Sequence, residues 1–284
     1  MPDAAVRDLR PRTPFEVDSF RPSAARMYDY YLGGTNHLAA DREAADALLD
    51  AVPQVADLAA QNRAFLRRVV EFAVSQGVTQ FLDLGSGFAS AGGVADVALA
   101  GDPASRVVAV DIDPGVASQV ATAVRTSGLA GRVGALHADL RDLVGVLEHP
   151  VTRRLLDFDR PIAILCLAVL HFVPGDLDRV LGPLRRTAAP GSLLALSHAT
   201  LAPAPAEHAP RRRGGPDPAA IVRLVYDCTL TPLTLRSEDQ LRASLTECEL
   251  VEPGIVPLHE WRPTAGAQAP GSGVGLLGAV ARLR

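Results

Sequence analysis

The chain has 284 residues, of which 48% are hydrophobic and 21% charged, which is ordinary for a globular protein with a sizeable core. Its formal net charge of -4 at pH 7 argues against broad nucleic-acid binding, so we expect no nucleic-acid partner. All 28 basic residues are arginine, which excludes a catalytic lysine. The three cysteines are scattered without metal-ligand spacing, so no metal site is predicted. We find no secretory signal and no long apolar run, so we expect a cytoplasmic protein without a membrane partner.

The first part of the chain is predicted to be helical. Residues 1–20 carry prolines and charges without periodicity and are expected to form a flexible arm. Helices are predicted over residues 23–33 and 54–75, and a third between them is expected to be capped by Asp41. Gly33 and Gly34 are expected to end the first of these helices. We therefore divide the chain into an N-terminal helical segment, residues 21–76, and a core, residues 77–284.

From residue 80 onward, short apolar runs alternate with helical stretches, and this pattern predicts a Rossmann-like α/β fold. The apolar runs are continuous, which indicates a mostly parallel sheet with helices on both faces. Two further strands, residues 250–256 and 274–283, are predicted to end the sheet with an antiparallel pair. Strands are predicted at residues 80–84, 106–110, 133–137, 162–167 and 193–197. Helices are predicted at residues 91–99, 114–126, 177–188, 219–226 and 238–245, with an interrupted helical stretch at 140–156.

A glycine turn follows the first predicted strand, where ligands bind in open parallel sheets. Gly85 and Gly87 allow a close approach of the backbone to a ligand. A dinucleotide fingerprint requires a third glycine, but Ser90 stands at that position. Asp83, two residues before the turn, would repel a pyrophosphate and attract a sulfonium or an amino group. The turn therefore favours a cationic nucleoside over a dinucleotide.

Two more acids follow the next predicted strands. Asp111 ends the second strand, where a carboxylate can accept hydrogen bonds from ribose hydroxyls. Asp113 competes for this role, but the Asp113-Pro114 pair is typical of a helix cap and first turn. Asp139 follows the third strand and would either bind the adenine amino group or cap the next helix.

Taken together, these residues resemble class I S-adenosylmethionine-dependent methyltransferases. More narrowly, the chain is similar to a bacterial S-adenosyl methyltransferase family long catalogued as a domain of unknown function. The likeness covers roughly residues 20–263. It is carried by residues 23–34 (S-A-A-R-M-Y-D-Y-Y-L-G-G), 81–87 (F-L-D-L-G-S-G), 110–114 (V-D-I-D-P), 138–140, 156–161 (L-D-F-D-R-P) and 168–174 (A-V-L-H-F-V-P).

This resemblance implies a seven-stranded sheet, S-adenosyl-L-methionine as cofactor, and an N-terminal helical lid over it. The lid would include Tyr28, Tyr31, Gly33, Gly34 and Asn36, although two tyrosines three residues apart are equally typical of a helix packed in a core. The predicted cofactor site is completed by Ser86, Ile112, Leu140 and Ala168, with Ile112 standing where the family often has asparagine.

His171 follows the fourth predicted strand and has two competing interpretations. An imidazole at this position could act as the general base that removes a proton from the attacking acceptor. Alternatively, it shapes the pocket through hydrogen bonds. His198 is expected to be structural, and Arg211, Arg212 and Arg213 are expected to be a solvated basic run.

Three functions stay open from the sequence. The first is methyl transfer to a small-molecule acceptor, a reaction that depends mainly on alignment of the reactants. The second is a catalytically silent protein that binds S-adenosylmethionine. The third is an NAD-dependent oxidoreductase, disfavoured by Asp83 and by the missing third glycine.

Overall fold

The computed structural model describes residues 17–88, 92–201, 218–229, 231–263 and 274–284. Most of the predicted N-terminal arm, Ser90, and residues 203–217 and 264–273 lie outside the described residues, and the first of these two ranges includes Arg211, Arg212 and Arg213.

Three helices precede the sheet: α1 (Ala24–Tyr31), α2 (Ala39–Ala51) and α3 (Val55–Ser75). The predicted stop after α1 is present, since Gly33 adopts a left-handed conformation with φ of 74° and its N–H donates to the carbonyl of Tyr30. The predicted cap of α2 is displaced. Asp41 lies inside the first turn rather than before it, and its carboxylate reaches back to the N–H of Leu38 at 2.7 Å.

The remaining elements alternate as predicted, with boundaries that shift by one to four residues. The strands are β1 (Gln80–Leu84), β2 (Arg106–Asp111), β3 (Val133–His137), β4 (Ala163–Leu167), β5 (Leu193–Leu201), β6 (Glu249–Leu250), β7 (Val256–Pro257) and β8 (Val274–Arg282). The helices are α4 (Val94–Gly101), α5 (Pro114–Ser127), α6 (Leu143–Glu148), α7 (Pro150–Leu155), α8 (Asp178–Thr187), α9 (Pro218–Asp227) and α10 (Glu238–Ser244).

The strands form one sheet in the order β3-β2-β1-β4-β5-β8-β6, with β7 also paired to β8. β1 to β5 are parallel, and β8 runs antiparallel to β5. The predicted Rossmann-like class is therefore confirmed. The order reverses at β1 and β4, which places the switch point of the sheet beside the glycine turn.

The edge strand predicted over residues 250–256 is divided in two, which corrects the sequence-based boundary. Both pieces pair with β8, with Leu250 opposite Ala281 and Val256 opposite Gly278. Between them, the N–H of Gly254 donates to the carbonyl of Val251 in a turn, and Pro253 has no N–H to give to a neighbouring strand. The edge position beyond β8, the seventh in the strand order, is thus held by two short segments.

Alternate residues of the strands build two separate cores. Phe81, Val107 and Leu165 face one side, where α3, α4 and α5 cover the sheet. Leu82, Val108 and Ile164 face the other side, covered by α6, α7, α8 and α10. Because α3 packs directly on the sheet, its side chains reach the ends of the strands. In the part of the chain described, no helix has the length and hydropathy needed to cross a membrane.

A buried charge cluster ties α1 and α2 to the sheet. The guanidinium of Arg26 donates to Asp41 at 2.6 Å and to Asp113, the residue that caps α5, at 3.1 Å. The hydroxyl of Ser23 donates to the same Asp113 carboxylate at 2.6 Å, and the Ser23 N–H donates to Asp41 at 2.8 Å. All four side chains are buried. The first two helices are consequently fixed to the end of β2 by charged hydrogen bonds.

We expect Arg26→Ala to lower the free energy of unfolding by about 3–5 kcal/mol, because it leaves two buried carboxylates without their cation. Urea denaturation measures this loss. The matched control is Arg42→Ala on α2, whose exposed guanidinium contacts His37 at 3.2 Å; its removal should cost less than about 0.5 kcal/mol. Equal stabilities of the two variants would contradict the anchoring role of Arg26.

Candidate functional site

A cavity of about 720 Å³ opens at the carboxyl ends of β1 to β5. Its volume lies within the range of small-molecule sites. Its walls come from the strand ends, from α1, α2, α3 and α9, and from residues 231–234. It brings together most of the predicted site residues: Tyr28, Tyr31, Asp83, Gly85, Ser86, Gly87, Asp111, Ile112, Asp139, Leu140, Ala168 and His171.

Asp83 is buried at the end of β1 and faces α3. Burial raises the pKa of its carboxyl group to about 7, the positive charge of Arg63 opposes this rise, and Asp111 reinforces it. Neutral and ionised forms are therefore both populated near pH 7. Such a carboxylate gains from a cationic partner, which would restore the ionised form.

Asp111 is buried at the end of β2 and is held by the backbone. Its two carboxylate oxygens accept the N–H groups of Gly87 at 2.8 Å and Asp113 at 2.9 Å. Burial raises the pKa of Asp111 to about 6, while these backbone hydrogen bonds lower it. The contact with Gly87 fixes the glycine turn against β2. Asp113 caps α5 through the N–H of Gly115 at 2.8 Å, as its sequence context predicts.

The glycine turn has two positions in the left-handed region. Gly85 has φ of 77° and Gly87 has φ of 62°. A Cβ at Gly85 would lie 2.3 Å from Cγ2 of Val169, whereas a Cβ at Gly87 would meet nothing within 4 Å. A side chain at position 85 would thus overlap Val169, whereas position 87 has open space around it. The hydroxyl of Ser86 is buried and has no hydrogen-bond partner.

The far side of the cavity is formed after β2 and β3. Asp139 accepts the N–H of Arg141 at 2.8 Å and pairs with its guanidinium. Burial tends to raise the pKa of Asp139. The hydrogen bonds and the charge of Arg141 outweigh this effect and hold the pKa below its usual value. Asp139 therefore caps a short 3-10 helix, Leu140–Asp142, while it also lines the cavity. Ile112 is exposed, which is unusual for its type in this structure.

Tyr28 belongs to a chain of hydrogen bonds that runs from α1 to the end of β4. Its hydroxyl donates to the carbonyl of Ala59 at 2.9 Å and accepts from the amide of Asn62 at 3.0 Å. The carbonyl oxygen of the Asn62 side chain accepts from the hydroxyl of Ser197 at 2.6 Å. That hydroxyl accepts the N–H of Ala168 at 2.7 Å. The chain holds Ala168 in a left-handed conformation, with φ of 52°, at the cavity wall.

His171 is buried, and its ring orientation is fixed by the backbone. Nδ1 accepts the N–H of Ala199 at 3.2 Å, so that in the neutral ring the proton lies on Nε2. Burial lowers the pKa of His171 well below its usual value, and His198 and Arg236 lower it further. The ring is therefore neutral at physiological pH and presents a donor. This geometry favours the pocket-shaping interpretation, and the general-base role stays a prediction.

Arg236 holds the segment that carries His171. Its guanidinium donates to the carbonyls of Leu170 at 3.0 Å, Val173 at 2.7 Å and Gly175 at 2.6 Å. It also contacts Nε2 of His198 at 3.0 Å, while the Nδ1 of His198 contacts the carbonyl of Ala199 at 2.7 Å. His198 has both ring nitrogens engaged, which agrees with a structural role.

Gly33, Gly34 and Asn36 lie outside the cavity lining. The Asn36 N–H donates to Asp29 at 2.7 Å, and its side-chain oxygen accepts from Gln119 at 3.1 Å. A Cβ at Gly34 would lie 2.2 Å from the carboxylate of Asp29. These residues shape the turn between α1 and α2, and their predicted contact with a cofactor stays a prediction.

Arg63 was missed by the sequence reasoning. It lines the cavity from α3, its buried Nε has no hydrogen-bond partner, and its charge acts on Asp83. The buried positions Leu58, Ala59, Asn62 and Leu66 of α3 repeat with a helical period. A polar residue on or next to this buried face, such as Asn62 or Arg63, is the sequence feature that could have indicated the site. Across the described ranges, no group of three or more His, Cys, Asp or Glu side chains converges to hold a metal ion.

The chain matches the model of a family described as S-adenosyl methyltransferase over residues 11–284. It is similar to a DUF574 family protein from Streptomyces avermitilis, with 33% identity, a TM-score of 0.80, and coverage of 94% of this chain and 99% of that chain. It is also similar to a methyltransferase candidate from Thermobifida fusca, with 33% identity, a TM-score of 0.82, and coverage of 94% and 97%.

A more distant likeness concerns the fold alone. Geranyl diphosphate C-methyltransferase from Streptomyces coelicolor A3(2) has 18% identity and a TM-score of 0.50, with coverage of 76% of this chain and 79% of that chain. No curated protein matches the chain in sequence.

The two glycines of the turn provide a matched pair of variants. Gly87→Ala should cost about 1–2 kcal/mol of stability, because its left-handed backbone is strained by a Cβ. Gly85→Ala should cost roughly 1–3 kcal/mol more, because its Cβ also overlaps Val169. Denaturant unfolding measures both. The double variant Gly85→Ala/Val169→Ala should cost less than the sum of its single changes; strict additivity would contradict the overlap.

Proposed function

The chain belongs to the S-adenosyl methyltransferase family and is an S-adenosylmethionine-dependent methyltransferase, and we propose that the cavity at its strand ends binds this cofactor for transfer of the methyl group to a small-molecule acceptor. The observation that carries the proposal is a pair of opposite charges. Asp83 and the guanidinium of Arg63, whose buried Nε has no hydrogen-bond partner, line the same cavity beside the glycine turn.

The amino-acid end of the cofactor carries an ammonium group and a carboxylate, and this pair fits both charges. We assign the ammonium group to Asp83, because burial raises the pKa of its carboxyl group and a bound cation would stabilise the ionised form. We assign the carboxylate to Arg63, since charge-assisted hydrogen bonds to a guanidinium are strong. The unpartnered hydroxyl of Ser86 and the open space at Gly87 follow Asp83 directly in the chain, line the same cavity and favour close approach of a ligand.

The nucleoside end is assigned to the strand ends beyond the turn. Asp111 has lone pairs left after its two backbone hydrogen bonds, and these would accept the ribose hydroxyls. Ile112 and Leu140 offer apolar contact for the adenine, because both line the cavity after β2 and β3. We assign the adenine amino group to Asp139. This assignment rests on the sequence pattern, because the Asp139 carboxylate is already paired with Arg141.

When bound, the cofactor supplies a methyl group activated by a sulfonium, so that the acceptor's lone pair forms the new bond, sulfur keeps the electron pair of the broken bond, and the acceptor releases a proton. The chain's own residues have to position the acceptor and exclude water. Ala168 and His171 lie on the wall between β4 and β5. The Nε2 proton of His171 would orient an acceptor oxygen or nitrogen.

The comparisons give no support to the two alternatives from the sequence, NAD-dependent oxidoreduction and silent cofactor binding. Calorimetric titration with S-adenosylmethionine and with NAD separates the first from the proposal. Release of S-adenosylhomocysteine during a screen of acceptors with a labelled methyl donor separates the second. Binding of NAD without binding of S-adenosylmethionine would end the proposal.

Arg63→Gln should weaken S-adenosylmethionine binding roughly 10- to 100-fold, as expected for the loss of a hydrogen-bonded charge. Binding of 5′-methylthioadenosine, which lacks the amino-acid end, should be unchanged. Arg67→Gln is the matched control, one turn along α3, exposed and outside the cavity lining. Equal losses for both ligands, measured by calorimetry, would remove Arg63 from the carboxylate.

Binding of S-adenosylmethionine should tighten about five- to tenfold between pH 6 and pH 7.5. The pKa of Asp83 is about 7 before binding, so a proton must leave the carboxyl group at the lower pH before it can pair with an ammonium group. Asp83→Asn should bind more weakly and lose most of this dependence. A variant that kept the full pH dependence would show that another group is responsible.

A further inference from the structure

Six apolar or aromatic residues that line the cavity, which we call the apolar chamber, are Tyr31, Val52, Phe172, Val222, Tyr226 and Leu233. These residues come from α1, the link after α2, the segment after β4, α9 and the loop that follows α9. Leu48, Val52 and Val222 also form a small hydrophobic cluster of their own, against which Tyr31, Tyr226 and Leu233 pack. The chamber is thus a distinct apolar unit.

Ring contacts join the chamber to the proposed methyl-transfer wall. The rings of Phe172 and Tyr226 lie 5.4 Å apart, and the rings of His171 and Phe172 lie 4.4 Å apart. His171 is in turn bound to the backbone at Ala199, near the end of β5. The segment from Ala168 to Phe172 therefore borders both halves of the cavity. A molecule in the chamber would lie beside the place proposed for the cofactor's amino-acid end.

Charge is distributed unequally between the two halves. Among the described residues that line the cavity, the aspartates and arginines come from α1, α3, the strand ends and the segment just before α1. By contrast, α2, α9 and residues 231–234 contribute leucine, valine, tyrosine, threonine and proline. An ion bound among these side chains would lose its hydration without a charged partner, which costs several kcal/mol. The chamber therefore selects an uncharged occupant.

One polar group in the chamber lacks a partner. The hydroxyl of Tyr31 is buried and makes no hydrogen bond. Burial raises the pKa of Tyr31 above its usual range, with Tyr226 and Asp46 adding to the rise, so the hydroxyl stays neutral and can donate. Buried tyrosine hydroxyls usually have a partner. An oxygen or nitrogen of a bound molecule would supply it.

We propose that the methyl acceptor is an uncharged, ring-bearing apolar molecule that binds in this chamber with a polar atom hydrogen-bonded to Tyr31. This inference rests on the proposed function for its role in methyl transfer. The aromatic walls, Phe172 and Tyr226, suit a planar ring, since offset or edge contacts between rings stabilise such packing.

The test compares two probes that share one ring system and differ in charge, 2-naphthol and 2-naphthoate. Calorimetry on the full chain at pH 7.5, with and without saturating S-adenosylhomocysteine, should detect binding of 2-naphthol and at least tenfold weaker binding of 2-naphthoate. Tyr31→Phe should weaken 2-naphthol about two- to tenfold, as for one neutral hydrogen bond. Tyr30→Phe is the matched control, because the Tyr30 hydroxyl bonds the exposed Asp46 at 2.9 Å.

A second pair of variants tests the chamber by charge. Leu233→Asp should abolish 2-naphthol binding and leave S-adenosylhomocysteine binding within twofold. Leu224→Asp on the exposed face of α9, where Leu224 is 66% exposed, should change neither. Equal or tighter binding of 2-naphthoate, or no binding of 2-naphthol, would overturn the inference. Failure of S-adenosylhomocysteine to bind would instead overturn the proposed function, while the titrations without it still test the chamber.

Discussion

The burial of Arg26 between two carboxylates is the interaction on which the cavity depends. Asp41 belongs to α2 and Asp113 to the start of α5, so one guanidinium joins the N-terminal helices to the end of the sheet. Buried ions are tolerated only when their partners are well placed, and each of these three would be costly alone. Because α1 is fixed in this way, Tyr28 and Tyr31 have defined positions at the cavity wall.

The same end of the sheet carries a second electrostatic constraint, which acts on the cofactor side. Asp83 and Asp111 are both buried, and burial raises the pKa of each. Asp111 recovers part of its lost hydration from backbone N–H groups, whereas Asp83 depends on the nearby charge of Arg63. The two acids therefore differ in what they require from a ligand. Asp111 can accept neutral hydroxyl groups, and Asp83 is better matched by a cation.

Much of this could be predicted from the sequence, because local patterns determine it. Continuous apolar runs predicted the parallel strands, and acids at strand ends predicted Asp83 and Asp111 at one edge. The division of the last edge strand was missed although Pro253-Gly254 is a local turn signal; only the pairing of both pieces with β8 depends on a distant part of the chain. The position of Asp41 inside its helix depends likewise on a distant partner, Arg26. Arg63 was overlooked because an arginine on a helix is usually solvated.

The apolar chamber shows why the acceptor is harder to predict than the cofactor. The proposed cofactor residues follow a chain order imposed by the strands, with one acid at or just beyond the end of each of β1, β2 and β3. The chamber combines Tyr31, Phe172, Tyr226 and Leu233, which are far apart in sequence and have no shared pattern. Each of them also has an ordinary role in packing. Only their convergence, with a tyrosine hydroxyl left unpartnered among them, distinguishes a binding surface from a core. On the proposed function, the selectivity of this enzyme would follow from the meeting of α1, α9 and the β4 segment rather than from the Rossmann-like sheet.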